Sequence, residues 1–226
     1  MVDLPGDDPR TIHRAYLAGA GDTKGAVVSV PQAEGRREAD RLEAFSDGVM
    51  AVIITIMAFG LSIPKEPTWH ALSEQVPSLL VYILSFTMIG IYWNNHHHLL
   101  RATERISASV MWANLALLFW LSLIPFATKW VGEEHRASLP ASVYGMVALG
   151  AAVAYGILVQ AIIRANGRGS TVAVAVGSDR KGNVSIGLYV AAIVLAWVSP
   201  WVAYALYIAV AVVWFVPDRR FGRGRS

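Results

Sequence analysis

Residues 43–63 read EAFSDGVMAVIITIMAFGLSI, and this stretch decides the fold. After Asp47 it contains no charged residue, and Pro64 follows it directly. A helix of about 20 mostly apolar residues is long enough to cross the hydrocarbon core of a bilayer. The stretch therefore predicts a transmembrane helix over Glu43–Ile63. Asp47 stands near its start, where an ionisable side chain is costly and is a functional candidate by default.

The rest of the chain repeats this pattern. Only 15% of the 226 residues are charged, whereas a soluble domain carries about 25%. Six long apolar stretches cannot all be buried in a soluble protein of this size, so we predict an all-α integral membrane protein with six transmembrane helices. Proline disfavours the α conformation of the residue before it, so the last long stretch must break at Ser199-Pro200. The predicted helices after the first are Val76–His98, Ser107–Lys129, Ala141–Arg164 and two helices within Val184–Val216.

The remaining segments are polar. Residues 1–40 are rich in Gly, Asp and Arg, and they predict a flexible cytoplasmic tail. Residues 41–217 form the predicted six-helix domain, and residues 218–226 form a basic cytoplasmic tail. Thr171–Val176 lies between predicted helices and is expected to belong to a cytoplasmic loop.

The positions of Lys and Arg predict the orientation. Positively charged residues concentrate in cytoplasmic segments, and six spans place both termini on one side. We therefore predict a multi-pass protein of the plasma (bacterial inner) membrane with both termini in the cytoplasm. The net charge of +3 then reflects topology and contact with the lipid bilayer, and no nucleic acid partner is expected. The other side holds Lys65, Lys129 and Arg136; the cytoplasmic side holds Arg36, Arg37, Arg41, Arg101, Arg105, Arg164, Arg168, Arg180, Lys181, Arg219, Arg220, Arg223 and Arg225.

Polar residues in the spans offer little for catalysis. The chain has no cysteine. Three consecutive histidines, His96 to His98, point about 100° apart on a helix and cannot converge on one ion, so we predict no metal site and no cofactor. Ser46, Asp47 and His97 could be written as a hydrolase triad, but adjacent Ser and Asp on one helix give poor geometry. We expect no enzyme, and interhelical hydrogen bonds are the simpler role for these groups.

The first predicted helix has a mixed face. At 100° per residue, Val52, Thr55, Ile56 and Phe59 share one side. Asp47 points roughly 140° away from Val52, so we expect it to bond to neighbouring helices rather than to line the same surface. From the spacing alone, ordinary helix packing is the better interpretation of this face, because nothing in the periodicity indicates that ions pass along it.

Three motifs in order carry a family resemblance. Arg41-x-x-x-Phe45-Ser46-Asp47 resembles the R-x-x-x-F-S-D motif that opens the first helix of the endolysosomal potassium channel family called transmembrane protein 175 and of its prokaryotic members. Residues 92–100, YWNNHHHLL, are similar to the family's Y-W-x-N-H-H-R-L-F ending of helix two. Residues 114–126 resemble its third helix, which contains N-L and L-P-F. His98 and Leu100 depart from the family, which usually has Arg and Phe there.

The resemblance implies a homotetramer of six-helix subunits, with helix one lining a central pore without a carbonyl selectivity filter. It implies a leak-type potassium-selective channel, with Val52 at an apolar constriction and Thr55 in a threonine layer. Two alternatives stay open, namely a proton or other monovalent cation conductance or transporter, and a membrane scaffold without transport. The implied pore-lining residues are Val52, Thr55, Ile56 and Phe59, and the implied structural network contains Arg41, Phe45, Ser46, Asp47, Trp93, Asn95, His96, His97 and Asn114.

Overall fold

A computed structural model describes residues 30–167, 169–176 and 180–215. These residues form nine helices and no strand, so the predicted all-α class is confirmed for the part of the chain described. The helices are α1 (Val30–Phe59), α2 (Trp69–Ser73), α3 (Val76–Arg101), α4 (Ala108–Ser122), α5 (Ile124–Glu133), α6 (Ser138–Asn166), α7 (Thr171–Val176), α8 (Arg180–Leu195) and α9 (Pro200–Phe215).

Helix α1 begins well before the predicted first span. The prediction of a flexible tail is wrong for residues 30–40, which are helical. Tertiary contacts explain the extension: Arg36 Nη1 donates to the carbonyl of Arg101 at 2.7 Å, and Ala39 is buried. Arg36 also pairs with Asp40 one turn later, at 3.5 Å. The other predicted tail residues, 1–29 and 218–226, lie outside the described residues.

The first span ends at Phe59 and not at Ile63. The N–H of Gly60 still bonds back to the carbonyl of Ile56 at 3.1 Å, and then the chain leaves the helix. A short helix that the sequence analysis missed, α2, follows the two prolines. Its N-cap is Thr68, whose hydroxyl accepts from the Ala71 N–H at 3.2 Å.

The third predicted span is not one continuous helix. It is interrupted at Leu123 and continues as α5. Pro125 explains the break, because it has no N–H to give to the carbonyl of Leu121 and its ring clashes with that turn. The second span, α3, extends three residues past the predicted end at His98, to Arg101.

Helix α6 exceeds its predicted bounds of Ala141–Arg164 at both ends. It ends at Asn166, and the capping residue Gly167 has a φ of 92°, which suits glycine. Thr171–Val176, predicted to belong to a cytoplasmic loop of unknown shape, forms the short helix α7. The predicted break at Ser199-Pro200 is confirmed, because α8 ends at Leu195 and proline opens α9.

Among the described residues, four helical segments are long and apolar enough to cross a membrane: residues 35–59, 76–101, 108–133 (α4 and α5 together) and 138–166. The protein is thus a multi-pass membrane protein. Helices α8 and α9 have 16 residues each, about 24 Å of helix at about 1.5 Å per residue. The count of six spans therefore stays a prediction.

Helix α6 occupies the centre of the helix bundle. It packs against α4, α5, α8 and α9, whereas α1 packs against α3, α4 and α5. Small residues such as Ala141, Ala148 and Ala151 are buried on α6. Small side chains let helix backbones approach closely where lipid supplies no hydrophobic drive for association. This arrangement leaves α1 at the side of the helix bundle, with part of its surface uncovered.

Candidate functional site

Helix α1 has one face buried within the helix bundle. Ser46, Met50, Ile53 and Met57 follow each other at helical spacing and are all buried. Their partners are α3, α4 and α5. Because an α-helix repeats about every 3.6 residues, the spacing of four, three and four residues keeps these side chains on one stripe.

The opposite face carries the predicted pore-lining residues and is bare. Val52, Ile56 and Phe59 are exposed by 55%, 54% and 89%, and Thr55 is exposed as well. Phe45 continues this face toward the N-terminus with 53% exposure. Val52 therefore does not pack into the interior of the helix bundle, which was the simpler alternative left open by the spacing.

The hydroxyl of Thr55 bonds within its own helix. Its Oγ1 donates to the carbonyl of Val52 at 2.8 Å. A hydroxyl that donates its only proton keeps lone pairs that can accept or coordinate. Because this oxygen lies on the bare face of α1, its lone pairs can coordinate a cation.

A buried polar chain joins α1, α3 and α4. His96 Nε2 lies 2.7 Å from Asn114 Oδ1, and Asn114 Nδ2 donates to Ser46 Oγ at 2.9 Å. Ser46 in turn donates to the carbonyl of Leu42 at 2.8 Å. Since Asn114 Oδ1 can only accept, Nε2 carries the imidazole proton in this arrangement. Three predicted network residues, Ser46, His96 and Asn114, are thus brought together, and each is fully buried.

A second group lies beside this chain, nearer the start of α1. His97 Nδ1 is 2.7 Å from Glu43 Oε1, and Arg101 Nε is 3.9 Å from the same oxygen. The ring of Trp93 stacks on His97 with centroids 5.8 Å apart. Glu43 was missed by the sequence analysis. Its position one helical turn before Asp47 could have indicated that both carboxylates lie on the same side of α1.

Asp47 does not behave as expected. It was predicted to bond to neighbouring helices, yet its Oδ1 is buried and has no hydrogen bond among the described residues. One ligand atom each from Glu43, Asp47 and His97 lie within 4.8 Å of one another. The directions of the three consecutive histidines did not predict this group, because its two carboxylates lie on α1. The positive charge of Arg101, 3.9 Å from Glu43, opposes a metal ion there.

The other predicted network residues stay apart. Arg41 and Phe45 are exposed. Asn95 bonds only along its own helix, from Nδ2 to the carbonyl of Ile91 at 2.8 Å. The resemblance-based network therefore divides into a buried chain, a half-buried ionic group and residues on the surface.

A further buried polar chain was not predicted. Thr128 Oγ1 donates to Ser85 Oγ at 2.7 Å, and Ser85 lies 3.0 Å from the hydroxyl of Tyr144. It joins α3, α5 and α6. Isolated Ser and Thr residues in apolar spans were its only sequence signal.

Together these features define a multi-pass helical membrane protein with buried polar contacts between its helices and one bare helix face. The family model described as "Endosomal/lysosomal potassium channel TMEM175" matches residues 41–125. A potassium channel of Chryseobacterium sp. is 47% identical over 180 residues, which are 80% of this chain and 94% of that protein. The chain belongs to the TMEM175 family, as its motifs predicted.

Two further comparisons agree with this membership. A potassium channel of Streptomyces collinus is 39% identical over 129 residues, covering 54% of this chain and 63% of the relative. The crystal structure of a lysosomal potassium-selective channel TMEM175 homologue from Chamaesiphon minutus matches with a TM-score of 0.71 and 27% sequence identity. That match covers 80% of this chain and 97% of the other. The fold is therefore that of a TMEM175 channel.

Proposed function

We propose that the chain is the subunit of a leak-type, potassium-selective cation channel. In this proposal four copies assemble around a central axis, with α1 of each copy lining the pore. The observation that carries the proposal is the bare face of α1, where Val52 and Ile56 remain more than half exposed in a helix whose other face is fully packed. Relatives named as potassium channels support the same function.

The proposed selectivity element is a ring of apolar side chains and not a carbonyl filter. The sequence contains no T-V-G-Y-G segment. A ring of four Val52 side chains would force an ion to shed water, or would close the pore by dewetting. Thr55 lies about one turn further along, and its hydroxyl oxygen would replace part of the lost hydration. The absence of an enzymatic role and of a cofactor belongs to the same proposal.

The proposed orientation places both termini in the cytoplasm of a bacterial cell, with the protein in its plasma membrane. The distribution of Lys and Arg over the loops supports it. Helices α8 and α9 would be the fifth and sixth spans. The ends of α3 and α6 would then lie on the cytoplasmic side, where Asn166 Oδ1 accepts from the backbone N–H groups of Glu104 and Arg105 at 3.1 and 2.8 Å.

Reconstitution tests the proposal. Val52→Asn should wet the constriction, raise the cation flux and weaken the preference for potassium over sodium. Thr55→Val should change the preference with little change in yield. Val194→Asn is a matched control, because Val194 is also exposed but lies on α8. The measurements are reversal potential and cation flux in liposomes containing each purified variant.

The outcomes separate the alternatives. Unchanged selectivity in Val52→Asn and Thr55→Val, with folded protein, would remove α1 as the selectivity element. Dissipation of a pH gradient without potassium flux would indicate the proton conductance or transporter. No flux of either ion would favour a membrane scaffold without transport.

A further inference from the structure

A cavity of about 620 Å³ lies away from the proposed pore, between α3, α6 and α8. Ser109 of α4 and Trp214 of α9 complete its wall. No described residue of α1 lines it. Its volume falls within the range of about 300–1,000 Å³ that is usual for small-molecule sites.

The wall of this cavity changes from apolar to charged along one direction. On α6 the lining side chains are Val153, Ile157, Gln160 and Arg164, at intervals of four, three and four residues. They therefore form one stripe that is apolar first and positively charged at the end of the helix. The hydrogen bonds of Asn166 to Glu104 and Arg105 put the end of α6 next to the segment that follows α3.

Helix α3 shows the same gradient in the same direction. Its lining residues run from Met88 through Tyr92 to Asn95. The cavity is thus apolar toward the middle of the bundle and polar at the end where α3 and α6 finish. In the proposed orientation, this polar mouth lies at the cytoplasmic membrane face.

The mouth is positively charged. Arg164 is the only charged side chain among the described residues that line the cavity. It is exposed and has no hydrogen bond or ion pair to another described residue. Asn183 lines the mouth from the first turn of α8, and the N-terminus of a helix carries a partial positive charge. Arg180 begins the same helix.

An apolar chamber with a cationic mouth at a membrane face fits an amphipathic anion. From this gradient we infer that the cavity binds an anionic phospholipid of the cytoplasmic leaflet. Its phosphate contacts Arg164 and the start of α8, and one acyl chain lies along Ile157 and Met88. Basic pockets between transmembrane helices on the cytoplasmic side bind anionic headgroups in this way. The inference goes beyond ion conduction and does not depend on it.

A substitution at one glycine of α6 can fill the cavity, and a glycine of α8 provides its control. Gly156 lines it, and a Cβ built there meets no atom within 4 Å. Gly156→Leu should therefore occupy the acyl-chain space without displacing a neighbour near the backbone. Gly187 on α8 has equally open surroundings but does not line the cavity, so Gly187→Leu is the matched control. For the charge, Arg105→Gln is the control for Arg164→Gln, because Arg105 is exposed at the same end of the bundle.

The experiment is native mass spectrometry of the full, delipidated chain in detergent. It is titrated with phosphatidylglycerol, with phosphatidylcholine of identical acyl chains, and with glycerol phosphate. The unchanged protein should bind phosphatidylglycerol about fivefold more tightly than phosphatidylcholine, since one arginine near an anionic lipid contributes about 1 kcal/mol. Arg164→Gln should abolish this preference. Gly156→Leu should lower the affinity for both lipids at least tenfold. The two controls should bind like the unchanged protein, and glycerol phosphate should not compete.

Three results would overturn the inference. The first is equal binding of the two lipids by the unchanged protein. The second is an Arg164→Gln variant that binds like Arg105→Gln. The third is competition by glycerol phosphate at the affinity of the lipid, which would indicate a site for free phosphate. Because none of these measurements involves ion flux, their failure is distinct from failure of the proposed channel.

Discussion

Asn114→Ala removes the middle residue of the buried polar chain between α1, α3 and α4. The substitution deletes the acceptor of His96 Nε2, at 2.7 Å, and the donor to Ser46 Oγ, at 2.9 Å. All three residues are fully buried, so water cannot easily replace the lost partner. We expect the variant to lower the free energy of unfolding of the subunit.

The magnitude follows from which groups are left without a partner. A buried donor without an acceptor costs about 1–3 kcal/mol, although hydrogen bonds between transmembrane helices average only about 0.6 kcal/mol. Ser46 retains its bond to the Leu42 carbonyl at 2.8 Å, so most of the cost falls on His96. We therefore expect a loss of about 1–3 kcal/mol. Asn114→Leu should lose a comparable amount, because it keeps the volume but still removes both hydrogen bonds.

Equilibrium unfolding in mixed micelles with increasing denaturing detergent measures this loss. Asn94→Ala is the matched control, since Asn94 lies on α3 but is exposed, and surface substitutions usually stay within about 0.5 kcal/mol. A double-mutant cycle between Asn114→Ala and His96→Ala should show that the two losses are not additive. If Asn114→Ala and Asn94→Ala unfold at the same detergent fraction, the buried chain does not stabilise the bundle and the reasoning fails.

Two further predictions concern assembly and packing. Native mass spectrometry in mild detergent should show the mass of four subunits, and detection of monomer alone would contradict the central-pore arrangement. Gly145→Ala should lower the thermal unfolding midpoint and cost about 1–3 kcal/mol, because the new Cβ would overlap the hydroxyl of Tyr207 and lie 2.8 Å from Ile193 Cγ1. Gly156→Ala on the same helix meets open space and should be neutral or slightly stabilising; equal losses in both would refute the packing argument.

Four of the six predicted spans correspond to long apolar helical segments among the described residues, and they were predictable because bilayer thickness imposes a length on apolar stretches. Their ends were less predictable because they depend on contacts between distant residues. The N-terminal extension of α1 is held by Arg36 on the carbonyl of Arg101, 65 residues away, and no local pattern contains that information. Pro125 was visible in the sequence, but proline is tolerated in transmembrane helices, so its presence alone did not locate the interruption at Leu123.

The polar site was predictable in composition but not in its partners. The side chains of three adjacent histidines point in three directions from the helix. The rotation of α3 about its axis decides that His96 contacts Asn114 and that His97 contacts Glu43. The sequence likewise did not determine which carboxylate of α1, Glu43 or Asp47, contacts a histidine. Asp47 carries the family motif, yet Glu43 makes the observed ionic contact, because one helical turn separates them and α3 ends beside the earlier turn.

The rotation of α1 explains how a bare face can exist in so apolar a helix. Met50, Ile53 and Met57 on the buried side and Val52, Ile56 and Phe59 on the bare side have similar hydropathy, so hydrophobic burial alone does not distinguish the two faces. Ser46 distinguishes the two faces, because it lies on the same side of α1 as Ile53 and its hydroxyl accepts a hydrogen bond from buried Asn114. Turning α1 by half a revolution would break that bond and leave the buried Nδ2 of Asn114 without an acceptor, whereas the bond between Asn114 Oδ1 and His96 does not involve α1. One buried polar chain thus opposes the alternative packing, and the face containing Val52 and Thr55 is the one left for contacts outside the subunit.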